Sequence, residues 1–393
     1  MAILGPLVSV LATPPARSAL EFELRHHHAV SQSDRVVFAD VNDAQYQSSR
    51  VGEIRTRPLT LHRRSLGLVS SDGFAAHSQP TWDEDEILGP DVDNRQTLLV
   101  LAKMTNNAYV PPNDTLWYDL GEEWRVDYPI GWEPDDDGFR GHVFATADNS
   151  TVVVSIKGTS ASFFGGGGPT VKKDKLNDNL LFSCCCARID WTWTTVCGCY
   201  RGGYRCHQDC VEEALIEESL FYPIGTNLYN NLTYMYPEAN IWLTGHSLGG
   251  ALASLLGATF GLPVVAFEAP GERMAAARMH LPLPPSTHHI THVYHTADPI
   301  AMGTCNGVIS SCALAGYAME SKCHLGLSII YDTVSNLSWG VDIRTHGIVN
   351  VIEHVLSLDP WPPSAEIGRE VPLPISEGDC VECFSWEYGD FLT

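Results

Sequence analysis

The sequence predicts an α/β fold in which a mostly parallel central sheet is flanked by helices, and three observations predict it. Residues 241–260 combine a short apolar, β-branched run, a glycine-rich turn and apolar residues at helical spacing, which is typical of a strand, a sharp turn and a helix. Other runs have the period of a strand or of a helix, and they are residues 96–105, 141–145, 151–156, 289–296 and 348–356. The chain has 393 residues and 44% hydrophobic content, which suffices for one large core with extensions.

The order of these elements predicts one principal domain over residues 95–358. Residues 1–13 are a short apolar leader without a basic start and are too short to span a bilayer. We interpret this leader as a degenerate signal or anchor, or alternatively as a disordered segment. Residues 14–94 are an N-terminal extension, and residues 359–393 are a C-terminal tail with a Cys-x-x-Cys motif.

The segments rich in histidine or in charged residues give little indication of a binding or catalytic role. Residues 26–28 are three adjacent histidines that do not face one another in a regular element, so we expect a solvated segment and assign them no role. Residues 50–66 are basic and favour a solvated edge, with a contact to lipid headgroups as the alternative. The acidic residues 83–86 and 135–137 lack the spaced ligands of a calcium loop and are interpreted as solvated turns.

Net charge limits the partners of this chain. Its value of −23 argues against a nucleic-acid partner and against unaided attraction to an anionic membrane at neutral pH. In an acidic compartment, protonation of the 16 histidines would offset more than half of that charge, so we expect membrane contact to strengthen there. The sequence gives no indication of an oligomeric state.

The 12 cysteines predict disulfides and therefore a secretory route. Their close spacings are also compatible with zinc, which is the competing interpretation, although we expect no metal. Sequons agree with a secreted glycoprotein, and they begin at Asn113, Asn149, Asn231 and Asn336.

The turn in residues 241–260 has the G-x-S-x-G pattern of a nucleophile elbow. Ser247 would lie at the tip of the turn between Gly245-His246 and Leu248-Gly249, with its hydroxyl exposed. The backbone N–H of Leu248 would then face a developing oxyanion. The alternative is a simple glycine-rich turn, but the strand before it and the helix after it favour the elbow.

The hairpin of residues 141–156 leads to a second oxyanion candidate. In a serine hydrolase the other donor comes from a loop after an early strand, which makes the backbone N–H and hydroxyl of Thr159 candidates. Residues 160–210 follow as a cysteine-rich insertion. We interpret this insertion as a disulfide-rich flap beside the active site, with a plain surface insertion as the alternative, and its aromatic residues include Phe163, Phe164, Trp191 and Trp193.

A catalytic acid is expected at the C-terminal end of the strand-like residues 289–296, because α/β folds place functional groups there. Asp298 occupies that position, and Asp332 and Asp342 are weaker rivals. The neighbouring histidines in this strand do not share one face, which argues against zinc.

The order Ser, Asp, His leaves three candidates for the base. His354 lies inside a helix-like run and His324 adjoins a cysteine, whereas His346 lies in a loop beside Gly347, just before that run. A loop position lets an imidazole reach a neighbouring elbow, so His346 is our assignment.

Four segments together resemble the fungal class 3 lipases of the α/β-hydrolase fold, and among them the vacuolar lipases of autophagy. The segments are residues 156–159, 244–250, 265–271 and 295–299. In that family a Thr/Asn-Asp-Pro turn supplies the triad acid, which implies Asp298, and a Gly-x-Pro-like turn corresponds to residues 269–271. The resemblance covers roughly residues 95–360 and includes the tail.

These residues predict a serine ester hydrolase without a cofactor. The resemblance implies glycerolipids as substrates, including phospholipids of vesicles delivered to a vacuole, and hence a route to the vacuole lumen or an endosomal membrane. One alternative is a carboxylesterase for soluble esters, similar to feruloyl esterases. A second alternative, from another class, is a lipid-binding protein without catalysis.

Overall fold

A computed structural model describes residues 19–30, 35–41, 51–64, 82–110, 115, 117–118, 138–159, 171–218, 221–358 and 368–391. Its strands are β1 (Ala19–Val30), β2 (Val36–Asp40), β3 (Val51–Arg64), β4 (Trp82–Pro90), β5 (Gly141–Ala145), β6 (Thr151–Ile156), β7 (Arg205–His207), β8 (Asn240–His246), β9 (Val264–Phe267), β10 (Ile290–His295), β11 (Leu327–Tyr331), β12 (Ile375–Ser376) and β13 (Glu387–Gly389). The α-helices are α1 (Arg95–Asn107), α2 (Val171–Phe182), α3 (Gln208–Glu218), α4 (Phe221–Met235), α5 (Leu248–Phe260), α6 (Arg273–Arg278), α7 (Ser311–Leu314), α8 (Thr333–Leu337) and α9 (Ile348–Val351). A 3-10 helix (Ile343–His346) precedes α9, and a π-helix (Ile352–Leu356) follows it.

One large sheet organises the described residues. Along its main path the strand order is β12-β11-β10-β9-β8-β6-β5-β1-β3-β4, and β2 pairs with β1. The five strands β6, β8, β9, β10 and β11 are parallel, whereas the pairings outside them are antiparallel. Helices cover both faces, with α5 and α4 in one apolar cluster and α1 and α9 in the other. The predicted α/β fold with a mostly parallel sheet is confirmed.

The parallel strands direct their C-terminal ends to one edge of the sheet, which is where parallel α/β folds place functional groups. β8 and α5 are joined there by a single residue, and α5 ends at Gly261, which adopts a left-handed φ of 64°. Of the two faces of β8, one carries Trp242, which is fully buried against Phe22. The elbow therefore stands on a strand that is packed on both sides.

The N-terminal segment contributes to the same sheet as the predicted domain of residues 95–358. β1 pairs with β5 over residues 23–28, and it extends the sheet toward β3 and β4. The expectation of a solvated segment at residues 26–28 is wrong. His28 is fully buried and donates to the carbonyl of Ser155, and the ring of His27 contacts that of His142, with 2.7 Å between their Nδ1 atoms.

The acidic residues 83–86 form part of strand β4 and not a turn, which corrects that interpretation. Antiparallel pairing with β3 places Glu84 opposite His62, at 3.5 Å, and lets Asp85 reach Arg63 diagonally, at 3.4 Å. These charges explain how two polar runs form a hairpin, because opposite charges on facing strands stabilise the pairing. Residues 135–137 lie outside the described residues.

Six disulfides connect all twelve cysteines, as the sequence predicts, and an oxidising compartment follows from them. Three lie within residues 185–210 and make that segment a compact module. Two others attach the tail, through Cys184–Cys383 and Cys323–Cys380. The sulfurs of Cys186, Cys197 and Cys199 lie within 4.8 Å of one another, but each is already bonded in a disulfide.

A buried ion pair adds to the attachment of the tail. Both ring nitrogens of His324 face acceptors, because Nδ1 lies 3.0 Å from Glu377 Oε1 and Nε2 lies 2.9 Å from the carbonyl of Ala269. Although burial opposes it, hydrogen bonding and attraction from Glu377 raise the pKa of His324. Glu377 also accepts from Tyr294 and Ser328. The tail thus supplies the counter-charge of a protonated histidine.

Within the part of the chain that the structure describes, no helix has the length and apolar character needed to cross a membrane. The leader of residues 1–13 lies outside the described residues.

The long-range disulfides are expected to stabilise the fold more than the short one. Cys323→Ala with Cys380→Ala releases a loop of 57 residues and should lower the free energy of unfolding by about 4 kcal/mol, by the loop-entropy relation. Cys305→Ala with Cys312→Ala releases 7 residues and should cost only about 2 kcal/mol. Urea unfolding of both double variants measures the difference, and equal losses would contradict the chain-entropy explanation.

Candidate active site

Ser247 lies on a strained turn at the C-terminal end of β8. Its backbone has φ 56° and ψ −130°, a conformation that costs free energy in any residue with a side chain. The turn is held because the Ser247 N–H donates to the carbonyl of Phe267 at 3.0 Å, and the Ser247 carbonyl accepts from Ala251 at 3.1 Å. The first turn of α5 begins at Leu248, where backbone N–H groups lack partners within the helix.

Two glycines let the backbone approach this serine. A Cβ atom at Gly245 would lie 2.3 Å from the carbonyl oxygen of Gly249, and one at Gly249 would lie 2.3 Å from the carbonyl oxygen of Ile156. A side chain at Gly245 would push the first turn of α5 away from β8, and one at Gly249 would push it away from β6. The glycines of the motif are therefore required by close backbone contact as well as by the turn.

The structure brings Ser247, His346 and Asp298 together although 99 and 48 residues separate His346 from the other two. His346 Nε2 lies 2.9 Å from Ser247 Oγ, and His346 Nδ1 lies 2.7 Å from Asp298 Oδ2. Asp298 is fully buried, and its Oδ1 accepts from the N–H of Ile300 at 2.8 Å. Burial opposes ionisation of Asp298, but the charge and hydrogen bond of His346 lower its pKa below the ordinary value.

His246, the second residue of the motif, fixes the backbone of His346. Its Nε2 donates to the carbonyl of His346 at 2.8 Å, and its Nδ1 lies 2.7 Å from the hydroxyl of Tyr109. Burial lowers the pKa of His246 to about 3, so the ring is neutral and Nδ1 accepts the Tyr109 proton. The Tyr109 oxygen in turn accepts from the N–H of Gly158 at 3.1 Å. One buried tyrosine thus joins the elbow to the loop after β6.

That loop contains Thr159, the candidate oxyanion donor. A Cβ atom at Gly158 would lie 3.2 Å from Cβ of Ser247, so the loop adjoins the elbow directly. The Thr159 hydroxyl lies 2.7 Å from Asp178 Oδ2 on α2. Burial raises the pKa of Asp178 to about 8. Sequence reasoning missed Asp178, since its distance along the chain from Thr159 gives no signal.

The rival residues lie in other environments. Asp332 caps α8 through the N–H of Ser335, and Asp342 caps the 3-10 helix that leads to His346. His324 is committed to Glu377, and His354 stands in the π-helix beside Trp339.

Part of the predicted flap can be placed. Phe163 and Phe164 lie outside the described residues. Trp191 is 85% exposed, while Trp193 is half-buried and lines a groove of about 780 Å³. The other groove residues come from α2, residues 192–196 and residues 313–316, and they include Lys172, Lys175, Leu176 and Leu314.

Several known proteins are similar to this chain over most of its length. The chain is 51% identical over 373 residues to "Putative lipase ATG15" of Cryptococcus neoformans var. neoformans serotype D, and the match covers 80% of this chain and 72% of the relative. The chain belongs to the ATG15 lipase family. The protein of the same name from Mycosarcoma maydis is 55% identical over 295 residues, which cover 72% of this chain and 56% of that relative.

The chain also matches the family model described as "Lipase (class 3)" over residues 185–302. This range contains Ser247 and Asp298, whereas Thr159 and His346 lie outside it. Among solved structures, Lip2 lipase from Yarrowia lipolytica is 15% identical, with a TM-score of 0.29 and coverage of 59% of this chain and 76% of that one. The Rhizomucor miehei lipase propeptide complex is 12% identical, with a TM-score of 0.33 and coverage of 74% and 88%.

The Tyr109 hydroxyl is expected to stabilise the site measurably. Tyr109→Phe leaves the N–H of Gly158 and Nδ1 of His246 without partners in a buried place, which should lower the free energy of unfolding by about 1–3 kcal/mol. Tyr222→Phe is the matched control, because that hydroxyl contacts only the Thr259 hydroxyl at a half-buried position. Denaturant unfolding measures both, and an equal effect in the two variants would contradict the role of Tyr109.

Proposed function

We propose that the chain is a serine hydrolase of glycerolipid esters in which Ser247 is the nucleophile, His346 the base and Asp298 the acid. The observation that carries the proposal is the continuous pair of contacts from Ser247 through His346 to a buried Asp298. Membership of the ATG15 lipase family supports the ester substrate.

The reaction follows from these positions. Ser247 Oγ bonds to the ester carbonyl carbon while His346 Nε2 takes the hydroxyl proton, and Asp298 stabilises the resulting imidazolium. The tetrahedral intermediate collapses with loss of the alcohol, which receives the proton from His346. Water then attacks the acyl-enzyme, with His346 again accepting a proton, and the fatty acid leaves with Ser247 restored.

Two groups support the oxyanion. The N–H of Leu248 lies at the start of α5, whose dipole favours negative charge. Thr159 supplies the second donor. Its hydroxyl donates to Asp178 Oδ2 at 2.7 Å, which holds the residue beside the elbow, and its backbone N–H is the group that would face the oxyanion.

Exposed apolar side chains support a membrane as the source of substrate. Ile309 is 87% and Leu314 is 79% exposed, and both lie in the segment that follows Asp298 in the chain. The groove beside Leu314 also contains Lys172 and Lys175, which suit the phosphate of a lipid headgroup. The substrate that fits best is a phospholipid of vesicles degraded in a vacuole, and the disulfides agree with a lumenal site of action.

The role expected for the histidines needs correction. Burial lowers the pKa of seven of the 16 histidines, so these take up a proton less readily than an exposed histidine does, and they are His26, His27, His28, His142, His246, His289 and His295. Acidification therefore offsets less of the net charge than the sequence suggests. Adhesion to lipid must rely more on apolar contact.

The assignment of Ser247 is tested by activity and labelling. Ser247→Ala should reduce turnover of a soluble ester by roughly 10⁴-fold or more and should abolish labelling by a fluorophosphonate, since both need the hydroxyl. Thermal unfolding should be nearly unchanged. Labelling that persists in the alanine variant would overturn the proposal, and absence of turnover and labelling in the native chain would favour a lipid-binding protein.

Vesicle binding separates a lipase from an esterase of soluble substrates. With Ser247→Ala as the background, Ile309→Ser with Leu314→Ser should weaken binding to phosphatidylcholine–phosphatidylserine vesicles by roughly tenfold, because apolar burial supplies the adhesion. The control is Tyr234→Ser. Tyr234 is 88% exposed at the end of α4, near the start of β8 and so at the opposite edge of the sheet from Ser247. Equal loss in both variants, or no binding in the parent, would contradict membrane docking at this edge.

A further inference from the structure

A second acidic side chain, Glu268, lies beside the catalytic acid. It follows β9 directly, is fully buried, and lies against the side chain of Asp298. Its backbone has φ 44°, the left-handed region that glycine adopts freely and glutamate rarely does. The backbone is held there because the Glu268 N–H donates to the carbonyl of Val293 at 3.0 Å. A strained, buried glutamate at such a place requires a function of its side chain.

Among the described residues around Glu268, none is a lysine or arginine that would keep its carboxyl ionised. His295 comes nearest, with its Nε2 3.7 Å from Glu268 Oε1 and its backbone N–H 3.5 Å from Oε2. The same Nε2 lies 3.2 Å from the carbonyl of Thr345, which can only accept, so the Nε2 proton is directed there. Burial also lowers the pKa of His295, which disfavours its cationic form.

His346 faces the other carboxyl. Its Nδ1 lies 2.7 Å from Asp298 Oδ2, so the imidazole stabilises the ionised form of Asp298 and not that of Glu268. Tyr294, on the strand beside Glu268, directs its hydroxyl to Glu377. Two carboxyl groups in contact in a buried site cannot both ionise, and the proton belongs to the one without a cation. Burial and the charge of Asp298 raise the pKa of Glu268 well above its ordinary value.

We propose that Glu268 is a positioning residue that holds a proton, donates it in a hydrogen bond to the Asp298 carboxylate, and thereby keeps the catalytic triad competent at acidic pH. Glu268 Oε1 finds no donor among the described residues when the group is treated as a carboxylate, which is the expected mark of a carboxyl that is itself the donor.

The hydrogen bond disperses the negative charge of Asp298. The carboxylate then holds the proton of the imidazolium less strongly, so His346 regains its neutral, base-competent form at lower pH than it would beside an unshared carboxylate. The bond also opposes protonation of Asp298 itself. Such an arrangement suits an enzyme that works in an acidic lumen, and this inference rests on the proposed function.

Two variants distinguish a protonated from an ionised Glu268. The assay is kcat/KM for p-nitrophenyl butyrate between pH 4 and pH 8, with butyrate quantified by chromatography, so that membrane binding does not enter. Glu268→Gly removes the donor, and the pH of half-maximal activity on the acid side should rise by about one unit, with a loss of roughly 3- to 10-fold at pH 5 and little change at pH 7.5. Glu268→Gln keeps a neutral donor and should follow the native profile within about twofold.

The sign of the shift decides the outcome. If Glu268 were ionised, both variants would move the acid side of the pH–activity profile to lower pH. If its role were purely structural, neither variant would shift the profile. Either result would overturn the proposal. Glycine suits the left-handed backbone at this position, so thermal unfolding of Glu268→Gly checks that the fold is kept. Fluorophosphonate labelling is run in parallel. A native chain that is not labelled refutes the proposed function and this inference together, whereas labelled variants with the wrong shift refute only the inference.

Discussion

The close contact between the elbow and the loop after β6 is the constraint on which the site depends. Gly245 leaves room for the backbone at Gly249, and Gly249 leaves room for the backbone at Ile156. Ser247 can therefore adopt its strained turn beside the loop, which Gly158 lets reach the serine. This contact sets the distance between the nucleophile and the candidate oxyanion donors. The parallel pairing of β6 with β8 holds both segments in register up to that point. The same strand pairing that builds the sheet therefore also positions the groups of the proposed site.

Burial of histidines in several parts of the fold links stability to pH. The seven histidines with lowered pKa bind more protons when unfolded, so they reduce stability as pH falls through about 6.5 toward their folded values. His324 has the opposite sign, because its raised pKa gives a contribution that is complete below the unfolded value and is lost as pH rises through the folded one. The ion pair with Glu377 therefore compensates in acid for part of what the neutral histidines cost.

The sequence predicts features that are formed by adjacent residues, and it misses contacts that form only when distant segments pair. The elbow is local, since strand, turn and helix are adjacent in the chain, and the order of Ser247, Asp298 and His346 leaves few choices. Residues that support them carry no such signal. Glu268 and Asp178 become neighbours of the triad and of the oxyanion loop only when β9, β10 and α2 are packed. In the same way, the burial of residues 26–28 depends on β1 pairing with β5, and no pattern within three adjacent histidines reveals a partner more than 100 residues away.

The tail connects to the proposed catalytic acid through a series of contacts. Glu377 in the tail bonds the ring of His324, and that ring donates to the carbonyl of Ala269. Ala269 directly follows Glu268, the residue proposed to share its proton with Asp298. His324 and Ala269 are buried, whereas Glu377 is half-buried. The disulfides and the ion pair of the tail therefore do more than close the edge of the sheet, because through His324 they also hold the turn that follows β9 and carries Glu268.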